Sequence, residues 1–300
     1  MGDMEFSRKE GGKHMELRIE KEVPFLVFPD IEESGAVKHG FSTRLGGVSR
    51  GIWSTMNLSF SRGDQEDDVR ENFRRISEAL GMEWRDLVFS DQVHLTEIRK
   101  ATLEDRGKGI VRNPDYEGID GLITDVPELP LVTFYADCVP LFFVDPVRKA
   151  IGLAHSGWKG TVGKIGKRTV EAMTREFGTA PEDLIAAIGP SICADCYEVS
   201  EDVAEAFRDA FTEEQCSLIL THKGNGKYQL DLWKANEMIM LEAGIRPEKI
   251  SVTDLCTCCN PELLFSHRAT KGKRGNLAAF LCLKGTEKEE EKPDCAHHPG

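Results

Sequence analysis

The sequence has no apolar stretch long enough to cross a bilayer. Lys21 to Phe28 falls far short of the roughly 20 residues a spanning helix needs, and the first fifteen residues are polar rather than built like a secretory leader. No membrane association and a cytoplasmic location are therefore expected. Positive charge is also scarce: 38 Lys and Arg stand against 51 Asp and Glu, a formal net charge of −13. Such a surface does not attract a phosphate backbone as a whole, so nucleic acid is not an expected partner. The nine cysteines are odd in number, and several lie inside apolar runs, unlike a secreted disulfide framework. They read as reduced thiols or metal ligands. No internal repeat of solenoid period is present.

Two nucleotide-binding patterns are also missing. Gly157 to Lys164 superficially resembles a phosphate-cradling loop, but five residues separate Gly157 from Gly163, and Ile165 stands where Ser or Thr should follow the lysine. Gly224-Asn225-Gly226 has no third glycine at 229 and opens no convincing helix, so no dinucleotide fingerprint is present.

With 300 residues and 40% hydrophobic content, the chain can bury an ample core. Polar residues 1–15 and the mixed-charge segment 286–300, with Pro293 and Pro299, read as disordered ends around one folded unit, 16–285. Within it, β-type runs alternate with amphipathic helices. Asp67 or Asp68 can cap a helix with an apolar stripe of Val69, Phe73, Ile76 and Leu80, stopped by Gly81. Further helices fit 162–177, 201–211 and 232–243. Strands fit 131–136, 140–144, 150–155, 184–188, 249–253 and 277–283, and their near-continuous apolar character predicts sheets covered on both faces in a layered α/β protein.

Three potential metal ligands stand at the ends of apolar segments: His94 after Val88 to Val93, Cys138 after Leu131 to Ala136, and His155 after Ile151 to Ala154. A strand end holds a side chain rigidly beside an open loop, a common position for functional groups. Two imidazoles and a thiolate suit zinc, and a catalytic zinc keeps three protein ligands with a fourth position open. Such a metal would supply hydroxide at neutral pH and polarise a ring nitrogen or carbonyl. The spacing matches no local zinc pattern, so on residues alone Cys138 reads equally as a small buried hydrophobe and His155 as a hydrogen-bonded strand-end residue. Asp137 is a candidate to orient a ligand histidine, or else an ordinary turn aspartate. Trp158 could stack on a base or fill the core. Cys193/Cys196 and Cys256/Cys259 form two C-x-x-C pairs, with Cys258 inside the second. The 59 residues between them exceed the usual zinc-ribbon spacing, so unligated thiols are preferred over a Cys₄ zinc.

Ordered motifs spanning about 39 to 280 resemble the YfiH-like or laccase-domain family, whose members are also called polyphenol oxidases and purine nucleoside phosphorylases. They include His39-Gly40-Phe41-Ser42-Thr43-Arg44, Gln92-Val93-His94, Asp120-Gly121-Leu122-Ile123-Thr124, Ala136-Asp137-Cys138-Val139-Pro140, His155-Ser156-Gly157-Trp158-Lys159-Gly160-Thr161 and Cys196-Tyr197-Glu198-Val199. The chain departs from the family at Leu95, at Ser156 and at Gly275-Asn276. The resemblance implies a single-domain, four-layer α/β/β/α sandwich with mixed sheets, and a zinc held by His94, Cys138 and His155. It implies phosphorolysis of adenosine, inosine, guanosine and methylthioadenosine, plus adenosine deamination. Nucleoside and phosphate are then the small-molecule partners, and a monomer or weak homodimer is expected. Arg44, Lys159 and Arg268 are the phosphate-binding candidates, because guanidinium and ammonium donors suit its oxygens. An editing hydrolase of mis-made peptidoglycan precursors is the alternative. A copper-dependent polyphenol oxidase is less expected, since the eight histidines include no His-x-His pair. Cys295, His297 and His298 could scavenge metal at the tail.

Overall fold

Alternation along the central strands decides the layering. In Val139–Asp145, Leu141 and Phe143 enter one hydrophobic core while Phe142 and Val144 enter another, because successive side chains of a strand point to opposite faces. The computed structural model describes residues 6–285. One mixed sheet runs, in spatial order, β1 (Glu16–Glu20), β2 (Val23–Val27), β3 (Val37–Ser42), β15 (Leu277–Leu283), β7 (Leu131–Tyr135) and β4 (Val88–Phe89). All its pairs are antiparallel except β4 with β7. A second runs β14 (Ile250–Val252), β10 (Ile185–Ile188), β8 (Val139–Asp145), β9 (Ala150–Ser156), β6 (Gly121–Thr124) and β5 (Ile98–Lys100), parallel only at its two edges. A small antiparallel sheet of β11 (Glu198–Ser200), β13 (Lys227–Leu230) and β12 (Leu220–Gly224) lies apart from both.

The two large sheets face each other across a core that includes Phe41, Leu131, Tyr135, Phe142, Leu153 and Leu281. The outer face of the first is covered by α2 (Glu66–Ala79), whose Val69, Phe73 and Ile76 share a core with Val132, Ala278 and Phe280. The outer face of the second is covered by α4 (Ile165–Phe177) and α7 (Leu232–Glu242), through Val170, Met173 and Ile239. This is the α/β/β/α sandwich implied by the sequence motifs. Shorter helices are α1 (Pro29–Glu33), α3 (Trp158–Val162), α5 (Glu201–Ala210), α6 (Glu213–Ile219) and α8 (His267–Thr270). No helix among the described residues is long and apolar enough to cross a membrane.

Three local expectations need correction. The α2 cap position is Gln65, not Asp67 or Asp68, and these carboxylates instead occupy the first turn, where they favour the helix dipole. The helix expected over 162–177 starts only at Ile165, as α4, because Lys164 adopts a left-handed conformation (φ 56°) that separates it from α3, which ends at Val162. Residues 6–15, expected to be disordered, pack along 252–254. Lys9 and Lys13 N–H groups donate to the Asp254 and Val252 carbonyls at 2.8 and 2.7 Å, Arg8 pairs with Asp254, and Met15 is buried. Polar composition conceals this, because the segment is held by hydrogen bonds and ion pairs to residues far along the chain, among them Asp254 and Asn260. Residues 1–5 and the 286–300 tail, including Cys295, His297 and His298, lie outside the described residues.

Candidate active site

Each of the three donors is delivered by a strand end or an adjoining turn. His94 follows β4 in the left-handed region (φ 63°), a conformation that costs a non-glycine residue energy unless its surroundings impose it. Asp120, fully buried just before β6, imposes it. Its carboxylate accepts the backbone N–H groups of Val93, His94 and Leu95 at 3.1, 3.0 and 2.8 Å. Cys138 sits in the turn between β7 and β8, and His155 is the penultimate residue of β9. Their donor atoms all lie within 4.8 Å of one another, with the two imidazole rings edge to face.

Asp120 also takes the Nδ1–H of His155 at 2.9 Å. A carboxylate there holds a proton on Nδ1 and leaves Nε2 as the nitrogen that a metal would take in exchange for its proton. Burial alone would raise the Asp120 pKa, but hydrogen bonds from His155 and the backbone lower it. Burial likewise pushes the Cys138 thiol up and the His155 imidazole down, yet each favours the charged form of the other. Cys138 ends at about 6, with His94 contributing, and His155 at about 9, with Asp120 contributing. The three residues thus form a thiolate-bearing, nitrogen-rich donor set that fits a borderline-soft divalent metal. His94 is exposed, Cys138 partly exposed and His155 buried, so the set opens toward solvent on one side.

That side is a cavity of about 440 Å³, within the usual range for small-molecule sites. Phe60, Phe89 and Phe134 form an aromatic wall, with Phe89 and Phe134 ring centroids 5.0 Å apart. Arg62 and Arg274 also line it. Arg274 is only 7% exposed, and its hydrogen bonds go to neutral oxygens, those of the Gly275 carbonyl and the Asn276 amide. Its Nε is buried without a partner among the described residues. Burial, reinforced by the charge of Arg62, lowers the Arg274 pKa to about 10. A buried cation whose hydrogen-bonding partners include no carboxylate is costly, and an anion in the cavity would relieve that cost.

The arginines expected at the site lie elsewhere. Arg44 donates to the Ser54 and Pro261 carbonyls and stacks on Phe265. Arg268 donates to the Cys196 and Glu198 carbonyls at 3.1 and 3.0 Å. Lys159 is exposed on α3 over Trp158, and Trp158 itself packs against the α4–α7 core. None of the four lines the cavity; adjacency in sequence to site motifs did not become adjacency in space. Asp137 does not orient a histidine: its carboxylate accepts the Thr257 hydroxyl at 2.6 Å and the Arg268 backbone N–H at 2.7 Å. That role belongs to Asp120. Ser156 is buried against Thr161 and Asn236, whereas Leu95 is exposed near the site and Asn276 lines the cavity.

Residues 38–284 match the profile of the family described as multi-copper polyphenol oxidoreductase laccase. The chain belongs to this family. Among its relatives it is 38% identical over 246 residues to purine nucleoside phosphorylase YlmD of Bacillus subtilis, covering 82% of this chain and 88% of that protein. It is 37% identical over 265 residues to a purine nucleoside phosphorylase of Deinococcus radiodurans, covering 88% and 95%. The fold matches the crystal structure of the Bacillus licheniformis hypothetical protein YfiH with a TM-score of 0.84 at 36% identity, covering 89% of this chain and 99% of that one. YlmD from Geobacillus stearothermophilus follows at 0.82 and 34%, covering 90% and 99%. The architecture described above is therefore shared with these two solved structures.

Proposed function

We propose that the cavity binds a purine nucleoside together with inorganic phosphate and cleaves the glycosidic bond by phosphorolysis, with adenosine, inosine, guanosine and methylthioadenosine as substrates. The observation that carries this reading is Arg274, a buried guanidinium facing an open cavity, where a phosphate would satisfy it. The names of the relatives agree with it. Arg274 and Arg62 hold the phosphate by charge-assisted hydrogen bonds. Phe60, Phe89 and Phe134 offer faces on which the purine stacks. Held in this way, a phosphate oxygen forms its bond to C1′ as the C1′–N9 bond breaks, and the base departs with the electron pair and takes a proton from solvent. Positioning the two reactants accounts for much of the gain.

His94, Cys138 and His155 are the residues that would hold a zinc, with Asp120 fixing both histidines. When bound, that metal supplies Lewis-acid polarisation of a purine nitrogen or carbonyl. Zinc is favoured over copper by the donor set of two imidazoles and one thiolate with an open side. Adenosine deamination is proposed as a second activity on the same ground, since three protein donors leave room for a further ligand.

The test is steady-state phosphorolysis of inosine by Arg274→Gln. Losing a charge-assisted contact worth about 1.5–3 kcal/mol should raise the KM for phosphate roughly 10- to 100-fold and leave the KM for inosine nearly unchanged. An unchanged phosphate KM removes Arg274 from the phosphate site and, with it, the main support for this reading.

A further inference from the structure

The two C-x-x-C pairs, distant in sequence, meet in space. Cys193 and Cys196 lie in the segment after β10, and Cys256 and Cys259 lie in the segment after β14. Because β10 and β14 are parallel neighbours, their following loops emerge side by side. The four Sγ atoms lie within 4.8 Å of one another, and those of Cys196 and Cys259 are 3.5 Å apart. Four sulfurs around a tetrahedral zinc, each at about 2.3 Å, would be about 3.8 Å apart. The 59 intervening residues that argued against a zinc ribbon form α5, α6, α7 and the small sheet, which leave the loop and return to it.

We propose that Cys193, Cys196, Cys256 and Cys259 form a closed tetrathiolate zinc site, separate from the His94–Cys138–His155 set and structural in role. Several features of the surroundings suit thiolates. The Cys193 backbone N–H points at Cys256 Sγ at 3.3 Å, and Lys9 is held beside the cluster by Asp195 at 2.9 Å. The apolar packing around these loops is small. The local apolar cluster has only Ile192, Cys193 and Cys256 at its buried centre.

The site would brace the turn that carries Cys138. The Ile192 N–H donates to the Asp137 carbonyl at 3.0 Å, the Thr257 N–H to the Ser191 carbonyl at 3.1 Å, and the Thr257 hydroxyl to the Asp137 carboxylate at 2.6 Å. Asp137 itself sits in the left-handed region (φ 84°) immediately before Cys138. A fourth sulfur in place of an open position leaves no vacancy for a reacting molecule, as in structural zinc sites generally. This inference does not depend on the phosphorylase reading.

The experiment uses the full chain carrying His94→Ala and His155→Ala, to disable the other donor set, and Cys295→Ser, His297→Asn and His298→Asn, to silence the tail. After loading with zinc and desalting, about one zinc per chain is expected, and X-ray absorption at the zinc edge should show four sulfur neighbours at about 2.3 Å. Adding Cys193→Ser and Cys259→Ser should remove that zinc, whereas adding Cys216→Ser, a thiol outside the cluster, should not. Because the double cysteine variant could fail to fold, the absorption spectrum of the parent protein stands as an independent readout. Absence of zinc from the parent protein, a shell of nitrogen or oxygen, or a Cys196–Cys259 disulfide with no metal each overturns the proposal.

Discussion

Asp120 uses one buried carboxylate to fix the backbone beneath His94 and the ring plane of His155. Asp120→Asn keeps the shape but replaces one acceptor oxygen with a donor, which then faces an N–H group. Loss of such an orienting partner usually weakens metal binding about 10- to 100-fold, and a zinc titration against a competing chelator should show a loss of that size; an unchanged affinity would mean that neither histidine depends on Asp120. The three donors could be nominated from sequence because each follows a strand-like segment, but that pattern left their role open and only the family resemblance implied a shared metal. Asp120 was visible only as part of a family motif, with no role attached, since its partners at 93–95 and 155 come together only when β5, β6 and β9 pair. Arg62 and Arg274 gave no signal at all. An arginine in a polar stretch looks the same in sequence whether it ends at the surface or, like Arg274, buried beside a cavity.

At the level of elements, the helix that follows β9 comes close enough to the donors to constrain them. A Cβ at Gly157, the cap position of α3, would lie 3.0 Å from the His94 ring and 3.3 Å from Cys138 Sγ. The backbone there has an ordinary φ of −75°, so Gly157→Ala strains no dihedral. Its expected effect is local: a loss of zinc affinity and turnover of at least about tenfold, with a change in unfolding free energy under about 1 kcal/mol. Denaturant titration and metal binding measured on the same preparation check it; a normal affinity would show that His94 can move aside freely. The long apolar strands β7, β8, β9 and β15 were readable because burial on both faces leaves a continuous hydrophobic signature. β1 is an edge strand with exposed and half-buried residues, and β4 spans two residues, so neither carries such a pattern. The break at Lys164 escaped notice because lysine ordinarily favours a helix.

The whole molecule matters to the site because the cavity draws on both sheets: Phe89, Phe134 and Tyr135 come from the first, and His155 from the second. Anything that loosens the contact between the sheets should therefore disturb it. His39, buried between them, accepts the Phe28 N–H at 2.9 Å and packs edge-on against Phe142. Burial, aided by the charge of Arg18, lowers its pKa from 6.5 to about 3. The unfolded chain then binds a proton below pH 6.5 that the folded chain refuses. His39's contribution to stability is full above pH 6.5 and falls by about 1.4 kcal/mol per unit as pH drops toward 3. Urea unfolding at pH 6.5 and pH 5 should show about 1.6 kcal/mol more loss in the wild-type protein than in His39→Gln, which has no such titration; parallel losses would mean that His39 is not held neutral. Phe142→Ala in the same interface should cost about 3–5 kcal/mol in unfolding free energy and lower activity along with it. The most direct test of the central claim is the product formed from inosine. Phosphorus NMR of the zinc-loaded protein with inosine and phosphate should show ribose 1-phosphate appearing in step with hypoxanthine, and no base release when phosphate is left out. Free ribose formed without phosphate, or no turnover by a protein with zinc bound at His94, Cys138 and His155, would contradict it.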